Sequence, residues 1–313
     1  MSLPANPLQW SIGLVGYGEV GRILAEDLRA REVANLAVFD TKLGGPEQAP
    51  LLAHAANHGV RPTSSHTELA AGADLVISAV TASQAVMVAA ACAPALRQRA
   101  WFLDLNSASP GAKINAAGIV AAADAFYVEG AVMTSVPPRR IRVPILLGGP
   151  DAADLSPLLN AIGFNSTAVS SKLGVASATK MCRSVMIKGL EAMVIESFTA
   201  ARAYGVENAV LASLQETFAG VDWEKQGSYF FQRVIEHGRR RSEEVREVAK
   251  TVREIGLMPW SAQGTAERQS WVADLADGGV FGAKDSDAFA RSVDWRVEAD
   301  RILAQIRSKD QIP

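Results

Sequence analysis

Apolar residues in the first half of the chain cluster in short runs, and alanine-rich segments with helical spacing separate these runs. Four runs are nearly continuous, at residues 11–16, 36–40, 74–80 and 101–105. Such runs are typical of strands that are buried on both faces of a parallel sheet. Further strands are expected at residues 126–132, 143–149 and 164–170. The alternation of strands with helices predicts a doubly wound α/β domain.

The second half of the chain has no strand-like runs, and its apolar residues keep helical spacing as far as Arg307. Breaks in the helical pattern are predicted at Gly205, Gly220, Gly238, 256–259 and 277–279. The change of pattern predicts two domains, an α/β domain over residues 1–170 and an all-helical domain over residues 171–313.

The composition is that of a globular protein and argues against several classes. With 313 residues, 49% of them hydrophobic and 20% charged, the chain can form two domains with sizeable cores. A net charge of −2 provides no basic field for nucleic acid or an anionic membrane. The longest apolar run, residues 85–96, is too short to span a bilayer. The first ten residues lack the pattern of a secretory signal and the two cysteines make no disulfide framework, so we expect a cytoplasmic protein.

The four histidines form no sequence pattern that is typical of a metal site. His54 and His58 are four residues apart, which places them on one side of a helix. No glutamate lies between them and no third ligand follows nearby. We interpret the pair as part of a solvated helix face and expect no metal.

A glycine-rich turn follows the first apolar run. Gly16, Gly18 and Gly21 form the pattern GxGxxG between a predicted strand and a predicted helix. The first glycine permits a tight turn, the second lets the backbone approach a pyrophosphate, and the third lets the helix pack closely on the strand. The helix N-terminus adds amide donors and a partial positive charge for the phosphates. The pattern predicts a Rossmann-type dinucleotide site, whose residues here are Gly16, Tyr17, Gly18, Glu19, Val20 and Gly21.

An acidic residue at the end of the second predicted strand bears on the choice of cofactor. Asp40 follows Gly21 by nineteen residues, and a carboxylate there accepts hydrogen bonds from the adenosine ribose and repels a 2′-phosphate. We therefore predict NAD. Thr41 and Lys42 come next, and because a lysine there is able to neutralise a phosphate, NADP stays open. The alternative interpretation of the glycines is a plain strand-to-helix turn without a ligand.

Four further segments stand in a recognisable order. They are DLNSASP at residues 104–110, EGAVMTSVPP at 129–138, VPILLGG at 143–149 and the long apolar helix at 174–206. With the glycine turn, this order resembles the β-hydroxyacid dehydrogenase family, which includes 3-hydroxyisobutyrate and 6-phosphogluconate dehydrogenases. The resemblance covers essentially the whole chain and looks closest to a 6-phosphogluconate-dehydrogenase-like branch. It implies an oxidoreductase that acts on a small-molecule substrate, and a homodimer.

The segments after the fifth and sixth strands match the family unevenly. The family pattern D-x-S-T-x-x-P becomes Asp104, Asn106, Ser107 and Pro110. The resemblance implies that Asn106 lies beside the nicotinamide and that Asn106 and Ser107 contact the substrate. Thr81, after an earlier strand, joins Asn106 as an implied cofactor contact.

The serine-glycine-glycine with which the family binds substrate is replaced by Met133, Thr134 and Ser135. The hydroxyls of Thr134 and Ser135 are the implied substitutes for backbone amides. The change predicts a substrate different from that of the better-known family members.

The long helix carries the residue on which the chemistry depends. The family signature G-x-G-x-x-x-K becomes Gly174, Ala176 and Lys180. Ser184 follows where the family has an asparagine, and Arg183 stands where the phosphogluconate enzymes have a histidine. On a helix Ser184 lies within about 40° of Lys180, so both are expected to face the substrate. Arg183 is the candidate for contact with an anionic group.

Lys180 is predicted to be the general acid/base. Oxidation of an alcohol removes a hydroxyl proton while a hydride leaves, and apolar neighbours lower the pKa of a lysine so that it serves as a base near neutral pH. The alternative is a structural lysine whose stem lies on apolar surface while its ammonium reaches water.

Two arginine clusters lack a settled role. Arg139, Arg140 and Arg142 lie between two predicted strands and favour a solvated loop. Residues 239–241 begin a charged helix, and one or two of their guanidinium groups are able to reach a substrate anion. A second lysine of the family is absent, and Glu243 and Glu244 occupy the matching register.

These observations favour an NAD-dependent oxidoreductase that acts on a small, anionic β-hydroxy acid or related alcohol. One alternative is a dinucleotide-binding sensor or assembly protein that has lost catalysis, which the altered residues 133–135 and the missing second lysine favour. A further alternative is an imine or ketone reductase.

Overall fold

The computed structural model describes residues 4–284, 286, 289 and 292–310. The chain divides into two compact units, Met1–Met181 and Cys182–Pro313. The predicted domain boundary at residue 170 coincides with the end of the last strand. The division into units lies eleven residues further along, because the first turns of the next helix pack on the first unit.

The described residues of the first unit form one sheet, whose strands are β1 (Ser11–Val15), β2 (Asn35–Phe39), β3 (Arg61–Pro62), β4 (Leu75–Ser78), β5 (Trp101–Asp104), β6 (Phe126–Val132), β7 (Pro144–Gly148) and β8 (Asn165–Ser170). Their order is β3-β2-β1-β4-β5-β6-β7-β8. β4 and β5 are buried along their whole length, which explains their uninterrupted apolar sequences. The predicted α/β class is confirmed.

The sheet is parallel except at one pair. β6 and β7 run antiparallel, with Glu129 opposite Gly148. The connection between them is residues 133–143 and contains only one short 3₁₀ turn, Arg140–Arg142. A parallel crossover needs a dozen or more residues and usually a helix, so this connection returns the chain antiparallel.

Helices cover both faces of this sheet. They are α1 (Glu19–Arg29), α2 (Gln48–Asn57), α3 (His66–Gly72), α4 (Ala85–Cys92), α5 (Pro110–Ala121) and α6 (Ala152–Ala161). One core cluster of buried side chains includes Leu14, Leu28 and Leu103, and another includes Val76, Phe102 and Val120. Successive side chains of β5 therefore enter different cores, as expected for a central strand.

The carboxyl ends of three neighbouring strands meet at one edge of the sheet. Val15 pairs with Ser78, and Ser78 pairs with Asp104, so β1, β4 and β5 end at the same level. β1 lies between β2 and β4, and chain connections leave it in opposite directions. Ligands of open α/β sheets bind at such a switch point, outside the carboxyl ends of the strands.

The remaining helices are α7 (Val175–Tyr204), α8 (Glu207–Thr217), α9 (Trp223–Glu254), α10 (Trp260–Asp277) and α11 (Trp295–Asp310). α7 begins in the first unit and continues into the second. The second unit has its own core, built around Phe198, Phe231 and Trp295. Among the described residues, no helix combines the length and the apolar character needed to cross a membrane.

One predicted helix break is wrong. Helix α9 continues through Gly238, which the sequence pattern marked as an interruption. A Cβ at this position would lie 2.8 Å from the carbonyl oxygen of Gln269, so the glycine allows α9 and α10 to approach closely. The other predicted breaks fall between helices, as expected.

Candidate functional site

The glycine turn has the geometry that a dinucleotide site requires. Gly16 has a φ of +93°, and a Cβ there would lie 2.4 Å from the carbonyl oxygen of Ala79. A Cβ at Gly21 would lie 2.0 Å from the carbonyl oxygen of Gly16. At Gly18, which precedes the first residue of α1, a Cβ would meet no further described heavy atom within 4 Å. The outer two glycines are therefore needed for packing, and the middle one leaves open space at the N-terminus of α1, where phosphates bind.

Asp40 lies beside this turn. Its carboxylate accepts hydrogen bonds from the backbone N–H groups of Tyr17, at 2.7 Å, and Lys42, at 2.9 Å. The ammonium group of Lys42 lies 2.5 Å from the carboxylate of Glu47. The carboxylate predicted to contact the ribose is thus fixed next to the glycines, and the nearby lysine is paired with another acid.

The other residues predicted around the turn differ in exposure. Glu19 is exposed and Val20 is half-buried. Tyr17 is fully buried, and burial raises its pKa to about 12. Its hydroxyl lies 2.9 Å from Nδ1 of His54. Thr81 is exposed just beyond β4, at the same edge of the sheet.

Asn106 connects the ends of β4 and β5. Its side-chain oxygen accepts a hydrogen bond from the N–H of Val80 at 2.6 Å, and its side-chain nitrogen donates to the hydroxyl of Ser78 at 2.9 Å. The residue is buried. The structure therefore places Asn106 at the carboxyl ends of β4 and β5 and uses much of its hydrogen-bonding capacity to join the two strands.

A buried ion pair lies beneath this segment, and the sequence analysis did not find it. Lys113 Nζ is 2.8 Å from Asp104 Oδ1, and both side chains are almost completely buried. Asp104 also accepts hydrogen bonds from the hydroxyl of Tyr127 and the N–H of Asn106. Burial and the adjacent Asp104 carboxylate raise the pKa of Tyr127 well above its usual value. The sequence feature that could have indicated this pair is Lys113, a single lysine in the mostly apolar sequence of α5.

The predicted acid/base residue reaches the same segment. Lys180 Nζ lies 2.6 Å from the hydroxyl of Ser107, just beyond β5. Both residues belong to the first unit and both are half-buried. The structure thus brings Lys180, Ser107 and Asn106 to one edge of the sheet.

A second residue missed by the sequence analysis holds the start of α7. The fully buried carboxylate of Glu129 accepts hydrogen bonds from the N–H groups of Ala176 and Ser177, at 3.1 and 3.4 Å. A carboxylate at this position satisfies helix amides that have no intrahelical partner and interacts favourably with the helix dipole. A Cβ at Gly148 would lie 2.4 Å from Glu129 Oε1, so this glycine makes room for the carboxylate. Glu129 therefore fixes the turn that precedes Lys180.

The remaining predicted substrate residues lie in two places. Met133 and Ser135 are half-buried and Thr134 is exposed, in the connection that follows β6. Ser184 is buried and Arg183 is exposed on the part of α7 that belongs to the second unit.

Carboxylates engage the arginines of the charged helix α9. Arg239 pairs with Asp274 and Asp277 of α10, Arg240 pairs with Glu244, and the buried Arg241 pairs with Glu191. Glu244 also lies 2.5 Å from the buried Lys188, whose pKa is lowered by desolvation. All of these carboxylates belong to the second unit.

The cluster of Arg139, Arg140 and Arg142 is only partly the solvated loop that the sequence predicts, because Arg140 makes internal contacts. Arg140 Nη2 lies 2.5 Å from Glu26 and its Nε lies 2.8 Å from Asp27. Arg139 and Arg142 are exposed, as a solvated loop would have them.

The interpretation of the histidine pair as merely solvated needs correction. Folding brings Glu26 of α1 to His54, with Oε1 2.9 Å from Nε2. The rings of His54 and His58 lie 4.5 Å apart between centroids. Hydrogen bonds from His54 and Arg140 lower the pKa of Glu26. The carboxylate lies twenty-eight residues before His54 in the chain, so local spacing gave no sign of it.

Fold and glycine turn together define a protein with the NAD(P)-binding fold of the hydroxyacid dehydrogenases. The family model described as the NAD binding domain of 6-phosphogluconate dehydrogenase matches residues 11–170, and a domain of unknown function, DUF1932, matches residues 201–272. The chain belongs to this 6-phosphogluconate-dehydrogenase-like family, which confirms the resemblance seen in the sequence.

Solved structures agree with this assignment. A conserved hypothetical protein from Sinorhizobium meliloti 1021 is 38% identical, with 94% of this chain and 96% of that chain covered and a TM-score of 0.74. Conserved protein MTH1747, described as similar to 3-hydroxyacid dehydrogenases, is 29% identical over 85% of this chain and 99% of that chain, with a TM-score of 0.66. A 3-hydroxyisobutyrate dehydrogenase from Mycobacterium tuberculosis shares the fold at 17% identity, 91% and 98% coverage and a TM-score of 0.62.

Proposed function

We propose that the protein is an NAD-dependent oxidoreductase that transfers a hydride between the cofactor and the hydroxyl carbon of a small, anionic β-hydroxy acid or related alcohol. The observation that carries the proposal is the distance of 2.6 Å between Lys180 Nζ and Ser107 Oγ at the carboxyl edge of the sheet. An ammonium group at that edge lies where the ligands of this fold type bind. This position supports a catalytic role for Lys180.

The glycine turn and Asp40 would hold the dinucleotide. The open space at Gly18 and the amides at the start of α1 fit a pyrophosphate. The fixed carboxylate of Asp40 fits two ribose hydroxyls and opposes a 2′-phosphate. Because Lys42 is paired with Glu47, its charge is compensated, which favours NAD over NADP.

Lys180 would move the proton of the reaction. When the alcohol is oxidised, the O–H proton passes to the neutral amine of Lys180 while the C–H bond breaks and its electron pair leaves with the hydrogen. A nicotinamide held by the glycine turn and Asp40 would supply the acceptor for that hydride. In the reverse direction the ammonium returns the proton to the carbonyl oxygen. Proton transfer of this kind contributes about a hundred- to ten-thousand-fold in rate.

The other polar groups would orient the substrate. Ser107 would hold the ammonium and the reacting oxygen, while Asn106 would keep the strand ends in place beside the nicotinamide. Thr134, Ser135 and Ser184 would contribute hydroxyls. Arg183 is exposed, whereas Arg241 is buried against Glu191, so we assign the anion contact to Arg183.

The test is NADH formation across a panel of β-hydroxy acids, aldonates and their phosphates. Lys180→Ala is compared with the native protein and with Lys172→Ala, which removes an exposed lysine from the preceding turn. We expect Lys180→Ala to lose about a hundred-fold or more in kcat while still binding NADH, and Lys172→Ala to behave like the native protein. Equal turnover by Lys180→Ala and the native protein would contradict the proposed role.

A sensor that binds a dinucleotide without turnover is the second candidate. The observation that favours it is Glu244, which stands where the resemblance implies a second lysine and is engaged by Lys188 and Arg240. Tight NADH binding without turnover on any compound of the panel would support this candidate. Turnover of cyclic imines with NADH would instead favour an imine reductase.

A further inference from the structure

Three groups that commonly bind metal ions meet between α1 and α2. One ligand atom each from Glu26, His54 and His58 lie within 4.8 Å of one another, and all three residues are half-buried. The two histidines are four residues apart at the end of α2, so their rings lie on one side of it. Glu26 reaches them from α1, with Oε1 2.9 Å from His54 Nε2.

The ligand atoms have firmly held outer partners. His54 Nδ1 lies 2.9 Å from the hydroxyl of Tyr17, which leaves Nε2 facing Glu26. The second carboxylate oxygen of Glu26 is bound by Arg140, whose Nε also bonds Asp27. Residues that bind metals almost always have such outer hydrogen bonds, which fix the orientation of each imidazole and carboxylate.

The position of His58 is fixed through its backbone. Arg29 of α1 donates a hydrogen bond from Nε to the carbonyl oxygen of His58 at 3.1 Å, and it also bonds the carbonyl oxygen of Gly59. The guanidinium group thereby ties the end of α2 to α1. The His58 ring is left as the one member of the group whose side chain adjusts most easily to an ion.

We propose that Glu26, His54 and His58 bind a divalent transition-metal ion such as Zn²⁺ or Co²⁺, which cross-links α1 to α2 beneath the glycine turn. Two imidazole nitrogens and one carboxylate oxygen suit such ions better than they suit Mg²⁺ or Ca²⁺. Three protein ligands leave a coordination position for water. Tetrahedral bonds of about 2.0–2.2 Å separate ligand atoms by about 3.3–3.6 Å. Closing the site therefore requires His58 to rotate and the hydrogen-bonded atoms of Glu26 and His54, now 2.9 Å apart, to separate by a few tenths of an ångström.

The test uses full-length protein without an affinity tag, after metal has been removed with a chelator. Co²⁺ is titrated while the visible absorption is recorded, and Zn²⁺ is titrated by calorimetry. We expect one equivalent of each ion per chain and visible bands of tetrahedral Co²⁺. Neither readout requires dinucleotide binding or turnover, so the result is independent of the proposed enzymatic function.

Variants distinguish Zn²⁺ binding at this site from nonspecific Zn²⁺ binding by other histidines. His54→Ala and His58→Ala are each expected to weaken Zn²⁺ binding by about a hundred-fold or more. Tyr17→Phe removes only the outer partner of His54 and is expected to weaken binding by about ten-fold. His66→Ala alters a histidine of the same unit that packs on Phe39 instead, and we expect it to bind like the native protein.

Thermal unfolding without metal shows first that each variant is folded. Zn²⁺ should then raise the melting temperature of the native protein and of His66→Ala but not of His58→Ala, since an ion that binds only the folded chain stabilises it. Absence of the Co²⁺ bands would overturn the proposal. Equal affinity of the native protein, His54→Ala and His58→Ala would overturn it as well.

Discussion

Asp104 and Lys113 form an almost completely buried ion pair, which lies directly under the segment that carries Asn106 and Ser107. Lys113 donates to both the side chain and the backbone carbonyl of Asp104. Tyr127 occupies the other carboxylate oxygen. Because the desolvation cost of two buried charges is large, such a pair adds little to net stability, whereas removal of one partner leaves an uncompensated buried charge.

Replacement of Lys113 by methionine leaves the Asp104 carboxylate buried without its cation. Lys113→Met is expected to lower the free energy of unfolding by about 3–5 kcal/mol, which is the usual cost of removing one partner of a buried pair. Urea denaturation followed by circular dichroism measures the change. Lys172→Met, at an exposed position, serves as the control and should change stability by less than about 0.5 kcal/mol.

The double variant Asp104→Asn/Lys113→Met tests whether the loss comes from the unpaired charge. It should be less destabilised than the sum of the two single variants, because neither charge is then left alone. Additive losses would contradict this explanation.

At the level of elements, the predicted helix breaks are correct where a glycine ends a helix and wrong where a glycine permits close packing of two helices. Gly205 has a φ of +69° and ends α7, whereas Gly238 lies inside α9 against α10. Sequence spacing shows only that a glycine is present, and the reason for it depends on which helix lies opposite. The edge strand β3 is not predicted because its two exposed residues are too few to form an apolar run.

Two glycine substitutions test this distinction. The Cβ that Gly264→Ala adds in α10 would meet no further described heavy atom within 4 Å. The substitution should therefore stabilise the protein by up to about 1 kcal/mol through helix propensity. Gly238→Ala places a Cβ 2.8 Å from the Gln269 carbonyl oxygen and 3.3 Å from the Ala273 Cβ. Overpacking costs about 1–3 kcal/mol, so a net loss is expected. Thermal unfolding of both variants measures the difference, and a gain at Gly238 would contradict the packing argument.

Arg202 near the end of α7 joins two other helices through carboxylates. It lies 2.6 Å from Glu207 at the start of α8 and 2.8 Å from Asp300 of α11. The pKa of Glu207 is lowered by its own backbone N–H and by Arg202, and the pKa of Asp300 is lowered chiefly by Arg202.

The sign of the pH dependence follows from these shifts. Since the folded-state pKa values lie below those of the unfolded chain, the stabilisation is complete above the ordinary pKa of 4.5 for Glu and is lost as pH falls. Urea denaturation between pH 6 and about pH 3 should show a steeper loss for the native protein than for Arg202→Met. Identical slopes would show that the ion pairs of Arg202 with Glu207 and Asp300 do not contribute to the pH dependence of stability.

For the molecule as a whole, the sequence predicted those features that depend on local sequence patterns. The apolar runs, the glycine turn, Asp40 and the helix with Lys180 all follow from residues close together in the chain. Contacts between distant segments escaped prediction. Glu129 meets the start of α7 across forty-seven residues, and Glu26 meets His54 across twenty-eight. The role of each carboxylate depends on the groups that it contacts in the folded chain, and a single sequence does not show these contacts.

The homodimer implied by the family resemblance is the last prediction, and exposed apolar side chains on α7 offer a surface for it. Met186, Met193 and Tyr204 are 71%, 61% and 83% exposed. At 100° per residue these positions lie on one side of the helix, and large apolar side chains exposed along one side of a helix are candidates for an interaction surface. Light scattering after gel filtration should give twice the 33.2 kDa of one chain.

Met193→Glu should shift the mass toward that of one chain, because a carboxylate buried in an apolar interface is costly. Met87→Glu changes an equally exposed methionine of α4 in the first unit and should leave the mass of the native protein unchanged. A native protein that elutes as a single chain would refute the dimer. A dimer that persists in Met193→Glu would instead assign the interface to another surface.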